Sequence, residues 1–433
     1  MFFNFGKKKK VCGIGMDGFP HSLAVRLMEE GHMPNLQRLA AEGDFRRIRS
    51  VYPTVSNVAW ASFQTGRGPG EFGVFGYVEL RPDLSLYVPN FTHLKADTIW
   101  RRMNDAGKRI VALGMPMTWP APKVNGLLVS GFLAPELDER AVSSSDVLKK
   151  LRWTMYEIDA DPRIAQKSLD AYQEEVRRVA TARQRTALEL VESEDWDLFF
   201  CHVMDTDRVN HFLWHARRDP DSPRGEFFYD FYAQVDDFLG RMDDALPSNA
   251  ELLILSDHGF CDLENRVQLN RWLRREGYLE YEEGAGEMFQ GIQRGSRAFS
   301  LVPGRIHLLT KWRWEIGTVS DIDYQRLREE IAEKLRDMTH PETGEPVCRR
   351  VLTREEAFTG RYAEDGPDLI IDPHDGFELQ AALGEGDVFE PGTRSGAHTC
   401  SDAMLLTGQG LAKISKAEDV PGVGRRLAEH FSL

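Results

Sequence analysis

The chain has 433 residues, which suits one large α/β domain with an insertion or two domains. Its hydrophobic (42%) and charged (28%) fractions are ordinary for a globular protein, and 54 Lys+Arg against 68 Asp+Glu leave a net charge of −14. That balance argues against a nucleic-acid-binding surface but not against an anionic substrate, because bound metal ions reverse a local field.

The opening, MFFNFGKKKKVCGIGMDG, does not have the pattern of a signal peptide, and the Lys7–Lys10 cluster reads as a solubilising start. No apolar run reaches the roughly eighteen residues of a transmembrane helix. Val11–Met16 is a buried parallel strand ending at Asp17-Gly18, with amphipathic helices expected near 20–30 and 33–41. In YPTVSNVAWASFQTG, small hydroxyl residues open a helical pattern. Thr54 and Ser56 are both placed where a hydroxyl caps a helix or acts as a nucleophile beside a bound anion. GPGEFGVFGY (68–77) is Gly-rich but lacks P-loop and dinucleotide spacing, so it is given no phosphate-cradling role.

Further strands are expected at 109–113 and 126–131, an irregular peripheral stretch at 136–156, and a long solvated helix over 166–194. The strand Leu198–Cys201 ends in HVMDTDRVNHFLWH. Asp207 and His211 share a face if a helix begins there, which suits two ligands of one metal, with His202, Asp205 and His215 as nearby alternatives. A helix over 227–246 leads to ELLILSDHGF, where an apolar strand stops at Asp257-His258-Gly259. The C-terminal ends of such strands are where ligands bind in open α/β sheets.

A helix is expected over 265–279, a mobile polar loop over 280–294, a hairpin strand at 300–309, a helix at 323–338 and a strand at 346–352. Core strands follow at 366–372 and 403–407, with His398 in the small-residue loop GTRSGAHT. The five widely spaced cysteines (Cys12, Cys201, Cys261, Cys348, Cys400) form no CxxC pair and suggest a reducing, cytoplasmic setting.

Asp17, Asp207, Asp257 and His258 all follow predicted buried strands, and His211 and His398 add imidazoles nearby. One sheet would gather them at one edge, where carboxylates and imidazoles together call for cations. Two divalent metals about 3.5–4 Å apart can hold an in-line displacement at phosphorus.

The order of GMDG, YPTVSNVAWASFQTG, DTDRVNH, SDHGF and SGAHT, with the linking HMPNLQRLAAEG, GPGEFGVFGY and VQLNRWLRREGYL, resembles the alkaline phosphatase superfamily. The resemblance is greatest to its type I phosphodiesterase/nucleotide pyrophosphatase branch and covers nearly the whole chain. It implies an α/β fold with a mostly parallel central sheet, helices on both faces, and a small α+β insertion at 280–360 between core segments 1–279 and 361–433. It further implies two divalent ions, zinc or alternatively manganese. Asp17, Asp257, His258 and the Ser56 hydroxyl would hold one; Asp207, His211 and His398 would hold the other.

Ser56 falls at the family's nucleophile position, three after Pro53 and nine before Thr65, which selects it over Thr54. The implied activity is hydrolysis of a small-molecule phosphodiester or pyrophosphate through a phosphoserine-type intermediate. A phosphomonoesterase or phosphonate hydrolase on the same site, and a non-catalytic binding protein, are the alternatives. Asn57 and Arg208 are the candidates for contact with a phosphate oxygen. The sulfatase signature is absent around Ser56, and no oligomeric state is implied.

Overall fold

The computed structural model describes residues 10–284 and 288–433. Lys7–Lys9 of the basic cluster and residues 285–287 of the expected polar loop lie outside the described residues.

Seven strands form the central sheet, in the order β2 (Asp44–Ile48), β17 (Ala403–Thr407), β8 (Ala250–Leu255), β1 (Lys10–Met16), β7 (Leu198–Val203), β5 (Ile110–Met115) and β6 (Gly126–Ser130). Within it, β17 alone runs against the others. The apolar runs read from the sequence are its middle strands, buried on both faces as parallel strands are.

Successive residues of a strand face opposite sides. Leu252 and Ile254 join one core with Phe19, Tyr172 and Tyr232, under helices His21–Glu29, Leu169–Ser193 and Pro223–Asp244. Leu253 and Leu255 join the other with Trp60, Trp100 and Leu427, under helices Ser56–Thr65, Ile99–Asp105 and Val420–His430. On β1 this second face carries glycines because aromatic rings occupy the space. A Cβ on Gly13 would stand 2.3 Å from the Phe200 ring, and one on Gly15 2.5 Å from Trp60.

A second sheet, antiparallel throughout, has the order β10 (Ala298–Leu301), β11 (Arg305–Leu308), β13 (Leu369–Pro373), β12 (Cys348–Thr353). Helix Asp321–Arg336 packs on it through Leu327, Ile331 and Leu335. A third sheet is built on β9 (Gly259–Gln268), with β14 (Gly376–Gln380) on one edge and β15 (Phe389–Pro391) and β16 (Gly396–Thr399) along the other. A short hairpin, β3 (Glu79–Leu80) and β4 (Leu86–Tyr87), completes the strands among the described residues.

Four local expectations are corrected. Residues 265–268 are strand, and the helix is only Leu269–Arg275; pairing of this part of β9 with β14 and β15 overrides the helical pattern. The stretch 366–372 does not rejoin the central sheet, because Leu369–Pro373 pairs with β11 and β12. His398 sits on a strand rather than in a loop. The stretch 136–156 contains a helix, Ser145–Thr154.

Candidate active site

β8, β1 and β7 are neighbours, and their C-terminal ends carry Asp257-His258, Asp17 and Asp207 in that order. The sharp turn after Asp17 needs Gly18, whose φ is +58° and whose Cβ would stand 2.4 Å from the Phe260 ring. The Gly18 amide donates to Asp257 Oδ1 at 3.0 Å, tying two strand ends together. His398 comes from β16, whose pairing with β9 sets it opposite Phe260 and stacks its ring on His258 at 3.7 Å between centroids.

Two groups result. In one, ligand atoms of Asp17, Asp257 and His258 lie within 4.8 Å of one another; in the other, those of Asp207, His211 and His398 do. Ser56, the first residue of its helix, donates from Oγ to Asp17 Oδ1 at 3.0 Å and lies 3.3 Å from His258 Nε2. Thr54 instead donates to the Val51 carbonyl at 3.0 Å.

The ring protons can be placed. Nδ1 of His258, His211 and His398 face the carbonyl oxygens of Gly259, Gly396 and Thr54 at 3.1, 3.2 and 3.2 Å. A carbonyl only accepts, so each Nδ1 carries the proton and each Nε2 turns a lone pair inward. Asp207 Oδ1 and Asp257 Oδ2 are buried with no hydrogen-bond donor. Three carboxylates and three lone pairs thus converge in a buried space, which is the donor set of divalent-metal sites.

The acidities follow. Burial pushes Asp257 well above the carboxylate range, and the charge of Asp17 adds to it. Burial also opposes ionisation of Asp17, but its hydrogen bond from His202 holds it below the usual value. Burial and the nearby His398 bring His258 down to about 4. A neutral imidazole is the metal-ligating form.

The alternatives near β7 have other tasks. His202 donates to Asp17 Oδ2 at 2.9 Å, beside the Trp60 indole N–H at 2.8 Å, and so orients the carboxylate. Asp205 faces Arg183 at 3.9 Å, and His215 faces Asp262 at 3.4 Å on the surface.

A cavity of about 380 Å³ opens beside His211 and His398, with Tyr77 and Arg208 on its wall. Tyr77, from the stretch given no phosphate role, places its hydroxyl 3.2 Å from Ser56 Oγ. Arg208 lines the cavity but is paired with Asp207 at 3.1 Å and with Asp159. Asn57 does not line it. The helix has begun at Ser56, so the next side chain turns away, and its Nδ2 donates to the Gly76 carbonyl at 2.7 Å.

The family model described as type I phosphodiesterase/nucleotide pyrophosphatase matches residues 11–399. No curated protein matches the sequence. Among solved structures, phosphonoacetate hydrolase from Sinorhizobium meliloti 1021, in complex with phosphonoacetate, aligns with a TM-score of 0.59 at 15% identity, covering 93% of this chain and 90% of that one. Murine ectonucleotide pyrophosphatase/phosphodiesterase 5, an inactive variant in complex with AMP, aligns with a TM-score of 0.56 at 14% identity, covering 98% and 95%. The human protein of that name aligns with a TM-score of 0.55 at 13% identity, covering 97% and 94%. These similarities establish a shared alkaline-phosphatase-like fold.

Proposed function

Since the chain belongs to the type I phosphodiesterase/nucleotide pyrophosphatase family, we propose that it is a two-metal phosphodiesterase with Ser56 as nucleophile. The observation that carries this reading is the position of Ser56 Oγ, against Asp17 and His258 of the first ligand group.

The residues fit the metals the family implies. Asp17, Asp257, His258 and the Ser56 hydroxyl would hold one ion, and Asp207, His211 and His398 the other, with zinc suited to this N/O donor set. Bound there, divalent ions lower the pKa of a coordinated hydroxyl or water and neutralise phosphoryl oxygens.

The chain's own groups do the rest. Asp17 Oδ1 accepts the Ser56 Oγ–H and aligns the oxygen for attack. His202 and Trp60 occupy Asp17 Oδ2, so the carboxylate cannot rotate away. Attack forms an Oγ–P bond as the P–O bond to the leaving alkoxide breaks; the Oγ proton is released to solvent and the alkoxide takes a proton from solvent to leave as the alcohol. Water then cleaves the phosphoserine, restoring the hydroxyl. Tyr77 is placed to donate to a phosphoryl oxygen as charge develops there. The five free cysteines support a cytoplasmic setting.

The test is a paired rate assay on bis-p-nitrophenyl phosphate and p-nitrophenyl phosphate, using metal-stripped protein with zinc or manganese restored. Faster diester turnover that needs both metal and Ser56 is expected. Faster monoester turnover makes the enzyme a phosphatase. No turnover together with no metal binding refutes the reading.

A further inference from the structure

The cavity is lined by one of the two candidate metal groups, Asp207, His211 and His398, together with residues of other kinds. Elsewhere the lining includes Val302, Pro303 and Pro373, while Ile371, Phe377 and Leu379 border the cavity along their strands with their side chains buried in the core of the second and third sheets. None of these side chains donates or accepts a hydrogen bond, so this part of the lining favours whatever sheds water with least loss.

The charges on the rest of the lining are already matched. Among the described residues, the two guanidinium groups on the cavity are Arg208 and Arg394. Arg208 is held by Asp159 and Asp207, and Arg394 by Glu378. Glu378 also accepts from Gln380 at 2.8 Å, and Asp372 accepts from the Tyr52 hydroxyl at 2.9 Å. A carboxylate or second phosphate entering away from the metal ligands meets Asp372 and Glu378 and, among the described residues, no uncommitted side-chain cation. Burying such a charge without a partner costs several kcal/mol in general. The size is also limiting: about 380 Å³ is near the low end of ligand cavities, and the phosphoryl group takes its share.

We propose that the natural substrate is a phosphodiester whose second ester group is short, uncharged and apolar, such as a small alkyl or single-ring group, seated against Val302, Pro303 and Pro373. This rests on the phosphodiesterase reading above and narrows it. It sets the protein apart from an enzyme whose substrate carries a second anionic group.

The test holds the leaving group constant. p-Nitrophenyl esters of methyl, butyl and 3-carboxypropyl phosphate are compared on metal-restored enzyme. Each loses p-nitrophenolate as its P–O bond breaks, so the reacting centre is the same. We expect kcat/KM to rise about tenfold or more from methyl to butyl, and the carboxypropyl ester to fall below the methyl ester. Val302→Asp, at a half-buried turn, should flatten the butyl/methyl ratio, while Val302→Leu keeps it. The ratio is internal to each preparation, so a smaller folded fraction does not move it.

A wild-type ratio near one, a preference for the carboxylate, or turnover of monoesters alone overturns the proposal. In the first two cases the phosphodiesterase reading survives, because the diesters still react. No turnover of any ester, bis-p-nitrophenyl phosphate included, overturns both.

Discussion

His211 Nε2 and His398 Nε2 stand 2.9 Å apart, each with its Nδ1 turned to a backbone carbonyl. Two lone pairs do not attract, and Asp207 Oδ1 lies 3.3 and 3.2 Å from the same two atoms. A divalent cation is the species that makes this triangle favourable. Metal analysis after dialysis should find two divalent ions per chain in the wild type and one in His398→Ala, because Asp17, Asp257 and His258 form the other group without it. An unchanged stoichiometry in the variant would exclude His398 as a ligand.

Tyr77 is the neighbour of Ser56 that the sequence did not announce. Burial raises its phenol well above the ordinary range, so it remains a donor at any working pH. If its O–H stabilises the phosphoryl oxygens, Tyr77→Phe should lower kcat by about a hundredfold with little change in KM. Steady-state kinetics on the diester checks this. A kcat within about twofold of wild type would leave Tyr77 a packing residue.

The contrast between Tyr77 and Asp257 shows what the sequence made legible. Asp17, Asp207 and Asp257-His258 each end an apolar run, and a run of that kind followed by a polar turn is a local pattern. Their common sheet edge then follows from the rule for parallel strands. Tyr77, His202 and the strand that carries His398 depend on which segments pair across long separations: β16 meets β9 more than a hundred residues away in sequence. Residues 265–268 are strand for the same reason, since the helical pattern there is outweighed by two strand partners. Asn57 depends on helix phase: with the helix starting at Ser56, its side chain turns away from the cavity.

The second sheet is joined to the loop bearing Tyr77 by one buried cation. Arg305 Nη1 donates to Glu79 Oε1 at 3.0 Å, and its Nη2 to the Val78 carbonyl at 2.8 Å, with the side chain out of contact with solvent. Removing one member of a buried pair leaves the other charge uncompensated, at about 3–5 kcal/mol. Arg305→Met should therefore lower unfolding stability by that amount. It should also reduce kcat, since Val78 follows Tyr77 in the chain. Urea denaturation of the metal-free protein gives the first quantity. A loss under about 1 kcal/mol would mean that water reaches Glu79 readily in the variant.

His307 provides a pH-dependent prediction away from the metal ligands. It lies on β11 between Phe299, stacked at 5.2 Å, and Trp314 at 5.8 Å, and neither ring nitrogen has a hydrogen-bond partner. Burial lowers its pKa well below the usual value, and the charges of Arg313, Arg305 and Arg354 lower it further. The sign follows from proton binding. Above about pH 6.5 neither the folded nor the unfolded chain protonates this ring, so its burial carries no pH penalty. Below that pH the unfolded chain takes up a proton that the folded chain refuses, and stability falls as pH drops, by up to about 1.4 kcal/mol per unit. His307→Phe removes the site while keeping an aromatic ring between Phe299 and Trp314. Urea midpoints measured at pH 7.5 and 5.5 with chelator present should fall more for wild type than for His307→Phe, by about 1 kcal/mol in unfolding free energy. Equal acid sensitivity in the two proteins would show that His307 takes up its proton in the folded state, which requires water or a carboxylate to reach a ring now enclosed by aromatic side chains.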